Sequence, residues 1–179
     1  MTVAIITTER LMLRSVNEKD FEPLYALVFG VPEVMANAFE GKTFTKERAW
    51  TFFTDQFDGD GNGLQLGALV LKDSDTIIGF AGLLSTSVLG CNDYEFGFVL
   101  GLEYWGRGYA TEIGRAQIEY GFNTKKYNRL LALVADNNRA SKTVLEKLGM
   151  TFHSSIVTQP RGKRDIYVVQ VQSEPIAIN

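Results

Sequence analysis

The segment Tyr94-Glu-Phe-Gly-Phe-Val-Leu-Gly-Leu-Glu-Tyr-Trp-Gly-Arg-Gly-Tyr-Ala-Thr-Glu112 concentrates the chemistry-bearing residues of this chain. An aromatic-rich strand pattern empties into a turn with Gly101, Gly106 and Gly108, and a helical pattern starts at once. Glycine lets a backbone approach a ligand closely, because no Cβ stands in the way. Free N–H groups at a helix start, aided by the dipole, suit an anion such as a pyrophosphate. Arg107 adds a positive charge there. Glu95 is a carboxylate among aromatics, and desolvation would raise its pKa and fit it for general-base work. The plainer alternatives are a ligand-free turn and a solvated strand charge.

Further along, Asn138 suits a ligand contact or a helix N-cap, and the two are compatible. Ser141 is either a functional hydroxyl or an ordinary first-turn serine. His153 reads as an edge-strand histidine before it reads as a base, and nothing near Cys91 suggests thiol activation. Arg161-Gly-Lys-Arg164 reads as a solvated hairpin tip, with an anion contact as the lesser alternative.

The chain has 179 residues, one cysteine and one histidine, so an internal disulfide and a Cys/His zinc site are excluded. No metal is expected. Eighteen Lys+Arg against 21 Asp+Glu leave a net charge of −3, which argues against a nucleic-acid binder. No run approaches the ~18 apolar residues of a membrane span, and no targeting signal appears. A single domain over 1–179, without membrane association and in the cytoplasm, is the expectation. A monomer or a homodimer is expected.

These residues need elements to position them. A strand is expected over Arg10–Arg14, a helix over Glu18–Phe29 capped by Asn17 or Ser15, and a second from Thr45 to Phe57. Trp50, Phe52, Phe53 and Phe57 form a core stripe or line a cleft. Strands follow at Gln65–Lys72, Thr76–Ser85 and Asp93–Leu100, then a helix over Arg107–Asn123. A strand at Arg129–Val134 leads to a helix at Arg139–Lys147 stopped by Gly149. Thr151–Val157 and Asp165–Gln172 close as a hairpin. The order describes an α/β protein: a mixed sheet with helices on both faces.

Three look-alikes fail. Asp58-x-Asp60-x-Asn62-Gly63 opens like a calcium loop, but Leu69 stands where a bidentate Glu is needed. Gly41-Lys42-Thr43 ends like a P-loop without its first glycine, Ala36 standing there. Gly106-x-Gly108-x-x-Thr111 lacks the third glycine of a dinucleotide fingerprint.

Trp105-Gly-Arg-Gly-Tyr-Ala110 resembles the acetyl-CoA motif of the GNAT superfamily of N-acetyltransferases. Tyr104-Trp-Gly-x-Gly-Tyr-Ala-Thr-Glu112 is the form typical of its RimJ/RimL-like branch. Asn138-x-x-Ser141-x-x-Val-Leu-Glu-Lys-Leu-Gly149 and the opening Thr8-Glu-Arg-Leu-x-Leu-Arg14 resemble further motifs of that branch. The resemblance implies a mostly antiparallel sheet with a splayed strand 4/5 cleft and direct acetyl transfer from acetyl-CoA to a primary amine. The acceptor is a protein N-terminus or a small amine.

By the same resemblance, Phe98, Val99 and Leu100 take the pantetheine arm, and Gly106, Arg107, Gly108, Tyr109, Ala110 and Thr111 take the pyrophosphate. Asn138 contacts the cofactor, Glu95 is the base acting through water, and Ser141 is the candidate to protonate the leaving thiolate. Two departures stand out. Trp105 replaces the motif's first polar residue, and Leu145 stands where many relatives carry an acidic tyrosine. Both would also suit a CoA-binding module without catalysis; a nucleotide-binding regulator is disfavoured by the failed fingerprints.

Overall fold

Segments rich in β-branched and aromatic residues assemble an eight-stranded sheet in the computed structural model, which describes residues 1–171. The strands are β1 (Ala4–Thr7), β2 (Leu11–Arg14), β3 (Leu66–Leu71), β4 (Ile77–Thr86), β5 (Asp93–Leu100), β6 (Arg129–Ala135), β7 (Thr151–Thr158) and β8 (Gly162–Gln170). Their spatial order is β1-β2-β3-β4-β5-β6-β8-β7. Every neighbouring pair is antiparallel except β5 and β6. The expected mixed, mostly antiparallel α/β architecture is therefore observed.

Helices cover both faces. On one, α1 (Phe21–Leu24), α2 (Pro32–Met35) and α3 (Lys46–Gln56) bury Phe21, Leu24, Val34, Met35, Ala49 and Phe53 against Ala68, Val70 and Phe80. On the other, α4 (Tyr109–Glu119) and α5 (Arg139–Lys147) bury Ile113, Leu145 and the adjoining Leu148 against Leu69, Leu83, Phe96 and Leu130. The Trp50–Phe57 stripe belongs chiefly to the first core, although Trp50 stays 39% exposed. No helix among the described residues is long and apolar enough to cross a membrane.

Several boundaries differ from expectation for identifiable reasons. β1 was not expected; it pairs with β2, and Ser15 fixes it by accepting from the Val3 amide at 2.8 Å. The helix expected over 18–29 is three short pieces: a 3-10 turn (Glu18–Asp20), α1 and a π-helical turn (Tyr25–Phe29). Its Asn17 cap is present, accepting from the Lys19 amide at 3.0 Å. α2 is an extra turn after Gly30, started by Pro32, whose missing N–H costs nothing there. α4 starts at Tyr109 rather than Arg107, because Gly108 is left-handed at φ 81°. β8 starts at Gly162, three residues before the expected Asp165; Gln172, its expected end, lies outside the described residues.

The 58–63 loop shows where the calcium-like spacing went. Asp58 is buried, and its carboxylate accepts from the amides of Asp60, Gly61, Asn62 and Gly63 at 2.6–3.3 Å. The aspartate folds its own loop and has little left to offer an ion.

The parallel pair is closed at one end by charge. Arg129 grips Asp93 with two bonds, Nε to Oδ1 at 2.9 Å and Nη2 to Oδ2 at 2.6 Å. Tyr94 and Tyr127 stack beside them with centroids 3.5 Å apart. The Arg129 hydrogen bond holds the Asp93 carboxyl below the ordinary 3.8. A depressed carboxyl stabilises the fold above its unfolded pKa, and that contribution is lost as pH falls through the folded value. Asp93→Asn should therefore lower unfolding stability at pH 7 by about 2 kcal/mol, below a fully buried pair's loss because Arg129 is partly solvated. Denaturant titrations at pH 7 and below pH 3.8 check it: the difference should shrink at the acid end.

Candidate active site

Because β5 and β6 run parallel, both deliver their chain to the same end of the sheet. The turn after β5 leads into α4 and the turn after β6 into α5, so the two helix starts flank that end. The strands pair at Glu95 and Leu131 and at no later register among the described residues. β5 continues to Leu100, so the strands form a wedge with its apex at Glu95 and its mouth toward the two helices.

At the mouth, one turn of 3-10 helix (Leu102–Tyr104) precedes Gly106 at φ 71° and Gly108 at φ 81°. Both angles lie in the left-handed region that favours glycine. They point the chain into α4, where the first helical bond runs from the Glu112 amide to the Gly108 carbonyl at 3.0 Å. The amides of Gly106, Gly108, Tyr109, Ala110 and Thr111 have no acceptor among the described residues. Arg107 is exposed and its guanidinium makes no ion pair among them. This is a cradle of donors under a helix dipole, next to an unspent positive charge.

A polar network, absent from the sequence-based site, braces the cradle. Glu112 accepts from the Thr8 hydroxyl at 2.6 Å, the Arg10 amide at 2.9 Å and Arg10 Nε at 2.7 Å. Arg10 also donates Nη1 to the Arg107 carbonyl at 3.0 Å and lies 4.6 Å over the Tyr109 ring. The Thr8-Glu-Arg10 segment in the turn between β1 and β2 thus holds the motif ending in Glu112. Only their membership of the same resemblance could have signalled the link.

Along the wedge, alternation holds as expected. Phe96 and Phe98 face α4 and α5, while Val99 packs on the α1–α3 side, which Glu95 shares. Leu100 is buried, and its carbonyl accepts from Trp105 Nε1 at 2.9 Å. Trp105 thus spends its one donor on the strand end, which leaves Phe98 and Val99 the freer part of the expected pantetheine contact. Gln117, unremarked in the sequence, is fully buried, donates to the Gly97 carbonyl at 3.3 Å and leaves Oε1 unpartnered. An unpaired buried acceptor beside a strand that has lost its partner fits an amide-bearing arm lying along the wedge.

At the apex, burial pushes the Glu95 carboxyl above the ordinary 4.5, and Arg161, 3.7 Å away, pulls the other way. Arg161 and Arg164 were expected as solvated turn charge; both turn inward instead, and Arg164 is buried.

Asn138 is the N-cap of α5. Its Oδ1 accepts from the Ser141 amide at 3.2 Å, and its Nδ2 donates to Ser141 Oγ at 3.0 Å. The cap reading is thus present, and Ser141 keeps its hydroxyl proton undonated among the described residues. Leu145 is buried against Phe96 and Leu130. His153 is exposed on edge strand β7, and its Nδ1 lies in hydrogen-bond range of the neighbouring Ser154 hydroxyl at 2.9 Å. Cys91 is exposed behind the closed end of the wedge, its thiol donating to Asp93 at 3.2 Å. Neither residue is brought to the apex.

Comparison with known proteins bears on the family and the fold. The Acetyltransferase (GNAT) domain family matches residues 10–151. The chain is 32% identical over 145 residues to the uncharacterized N-acetyltransferase YnaD of Bacillus subtilis, covering 81% of each chain. The crystal structure of a GNAT-family acetyltransferase from Bacillus anthracis superposes with TM-score 0.78 at 25% identity, covering 92% of this chain and 97% of that one. A spermidine N-acetyltransferase from Vibrio cholerae, solved in complex with CoA and spermine, shares the fold with TM-score 0.72 at 15% identity, covering 91% and 96%. The chain belongs to the GNAT acetyltransferase family.

Proposed function

We propose that this chain moves an acetyl group from acetyl-CoA directly to a primary amine, of a protein N-terminus or of a small molecule, in a ternary complex. The observation that carries the reading is the wedge, with an amide cradle at its mouth and a desolvated carboxylate at its apex. At about 3.3 Å per residue, β5 from Glu95 to Leu100 is roughly 17 Å long. An extended pantetheine arm can span that length, which puts the thioester near Glu95 when the pyrophosphate sits in the cradle. Gly106 through Thr111 hold the pyrophosphate, with Arg107 adding charge; Phe98, Val99 and Leu100 line the arm, and Asn138 borders it. The RimJ/RimL-like form of the motifs supports an amine acceptor.

When bound, acetyl-CoA supplies the acetyl group as a thioester. The chain must then free the acceptor of its ammonium proton, since amines with pKa ~8–10.4 are charged at neutral pH. Glu95 takes that proton through water, and its raised pKa brings it closer to the working pH. The amine nitrogen bonds the acetyl carbon and gives its second proton to water, the carbon–sulfur bond breaks, and the thiolate takes a proton from solvent, either directly or through Ser141, which solvent reprotonates. A relay through cysteine is not supported, because Cys91 lies behind the closed end. The rival reading, a CoA-binding module without catalysis, draws on Leu145 filling the position of an acidic tyrosine.

Two measurements test this. Glu95→Gln should lower kcat by about 100-fold or more while leaving acetyl-CoA affinity nearly intact. The acid limb of the wild-type kcat profile should lie above 4.5 and vanish in the variant; a retained limb removes Glu95 as the base. Gly108→Ala forces a side chain into φ 81°, at a stability cost of about 1–3 kcal/mol. Calorimetry should show acetyl-CoA affinity reduced at least about tenfold with the fold retained, and unchanged affinity rules the cradle out.

A further inference from the structure

We propose that the acceptor is a small amine bearing its own carboxylate, and that Arg161 and Arg164 bind that carboxylate beside Glu95. The inference rests on the transferase reading above and adds the chemical class of its acceptor.

The charges around the apex do not balance. Arg161 approaches Glu95 through one nitrogen at 3.7 Å, too far for a good hydrogen bond. Arg164 is 5% exposed and gives Nη2 to the Phe39 carbonyl, which is neutral. The Nε groups of both arginines are buried and have no hydrogen-bond partner among the described residues. Neighbouring charges are committed elsewhere. Lys163 pairs with Asp136 at 3.3 Å, and Asp165, on the opposite face of β8, is taken by Lys142 and Ser155 at 2.5 Å each. Arg161, Lys163 and Arg164 therefore share the two carboxylates of Glu95 and Asp136, which leaves one positive charge in excess.

Burial pushes the Arg164 guanidinium down, and the charge of Arg161 adds to the effect. Buried donors and charges left unpaired are costly, so the arrangement is suited to an anion that arrives with the substrate. Guanidinium forks match a carboxylate in plane and spacing.

Position selects the acceptor as the bearer of that anion. Arg164 pairs across from Ala135 at the end of β6, on the α1–α3 side that Glu95 shares, whereas the amide cradle begins α4 on the other face. A polycation would meet two like charges. The Arg164–Phe39 bond ties the hairpin to the loop before α3, whose Phe39 ring packs 5.0 Å from Phe52 in the core on that side.

The test follows CoA release by the full chain with amino acids, their carboxamides, polyamines, peptides with free N-termini, and β-alanine beside phosphoethanolamine. Free acids should exceed their amides in kcat/KM by about 10- to 100-fold, the worth of hydrogen bonds to a charged group. This would hold even though the amide's amine loses its proton more easily. Arg161→Gln, chosen because Arg161 is only half-buried, should bring that ratio close to one when assayed above the acid limb. N-acetylated amino acids, as product mimics, should raise the melting temperature of the wild type but not of Arg161→Gln.

Equal or better turnover of amides, polyamines or peptides overturns the proposal and leaves the transferase reading standing. A preference for phosphoethanolamine over β-alanine overturns the carboxylate assignment. Arginine-dependent binding of N-acetyl amino acids without turnover of any amine supports the anion site and sinks the transferase reading. Absence of both binding and preference overturns the site.

Discussion

One parallel pairing in an otherwise antiparallel sheet governs this molecule. Antiparallel neighbours return the chain to alternate ends, but β5 and β6 both release it at the same end, so the starts of α4 and α5 converge there. The bidentate Asp93–Arg129 pair and the Tyr94–Tyr127 stack pin the strands where they begin. Among the described residues no later register pairs them beyond Glu95 and Leu131, and the strands part there. The consequence is a gap in a hydrogen-bonded sheet, which soluble proteins otherwise avoid. A strand edge left unpaired is a standing invitation to an extended ligand with amide groups.

The polar groups around the gap follow from what burial costs. Gln117 gives its donor to Gly97 and keeps an unpaired acceptor, Glu95 is held nearer neutrality than a surface carboxylate, and Arg164 is buried with an idle Nε. Each is unfavourable in the free protein. Each makes sense if binding supplies the missing partner, so that binding energy is drawn from groups the fold could not satisfy by itself. The cradle differs, because its amides face solvent and cost nothing until an anion replaces water. Its stiffness comes from elsewhere: Arg10, in the turn between β1 and β2, is held by Glu112 of α4 and braces Arg107 and Tyr109.

Features whose physics is local were legible in the sequence. Thr45 starts α3 and caps it by accepting from Arg48, and Gly149 stops α5 at φ 80°. The alternation that sets Glu95 opposite Phe96 needs only the period of a strand. What escaped depends on partners remote in the chain. β1 is a short run that becomes a strand only because β2 and Ser15 satisfy its edge. Arg161 and Arg164 read as turn charge because their partners, Glu95 and the Phe39 carbonyl, are far away in sequence. Asp58 misled in the opposite direction, its spacing copying an ion site while its carboxylate closes its own loop.

In the proposed transfer, the leaving thiolate would meet the same logic from the other helix. Leu145 points into the core with Phe96 and Leu130, so a tyrosine there would have to displace core packing before it reached a thiolate. The capping arrangement of α5 puts a different donor within the first turn. Asn138 spends its oxygen on the Ser141 amide and its nitrogen on the Ser141 oxygen, leaving the hydroxyl hydrogen as the group still free to point outward. A hydroxyl is a weak acid, but a thiolate leaving into a helix start already faces a positive dipole that lowers its demand for a proton. The cap that fixes α5 therefore also orients a side-chain hydroxyl there, and a structural role for Asn138 and Ser141 need not compete with the proposed catalytic one.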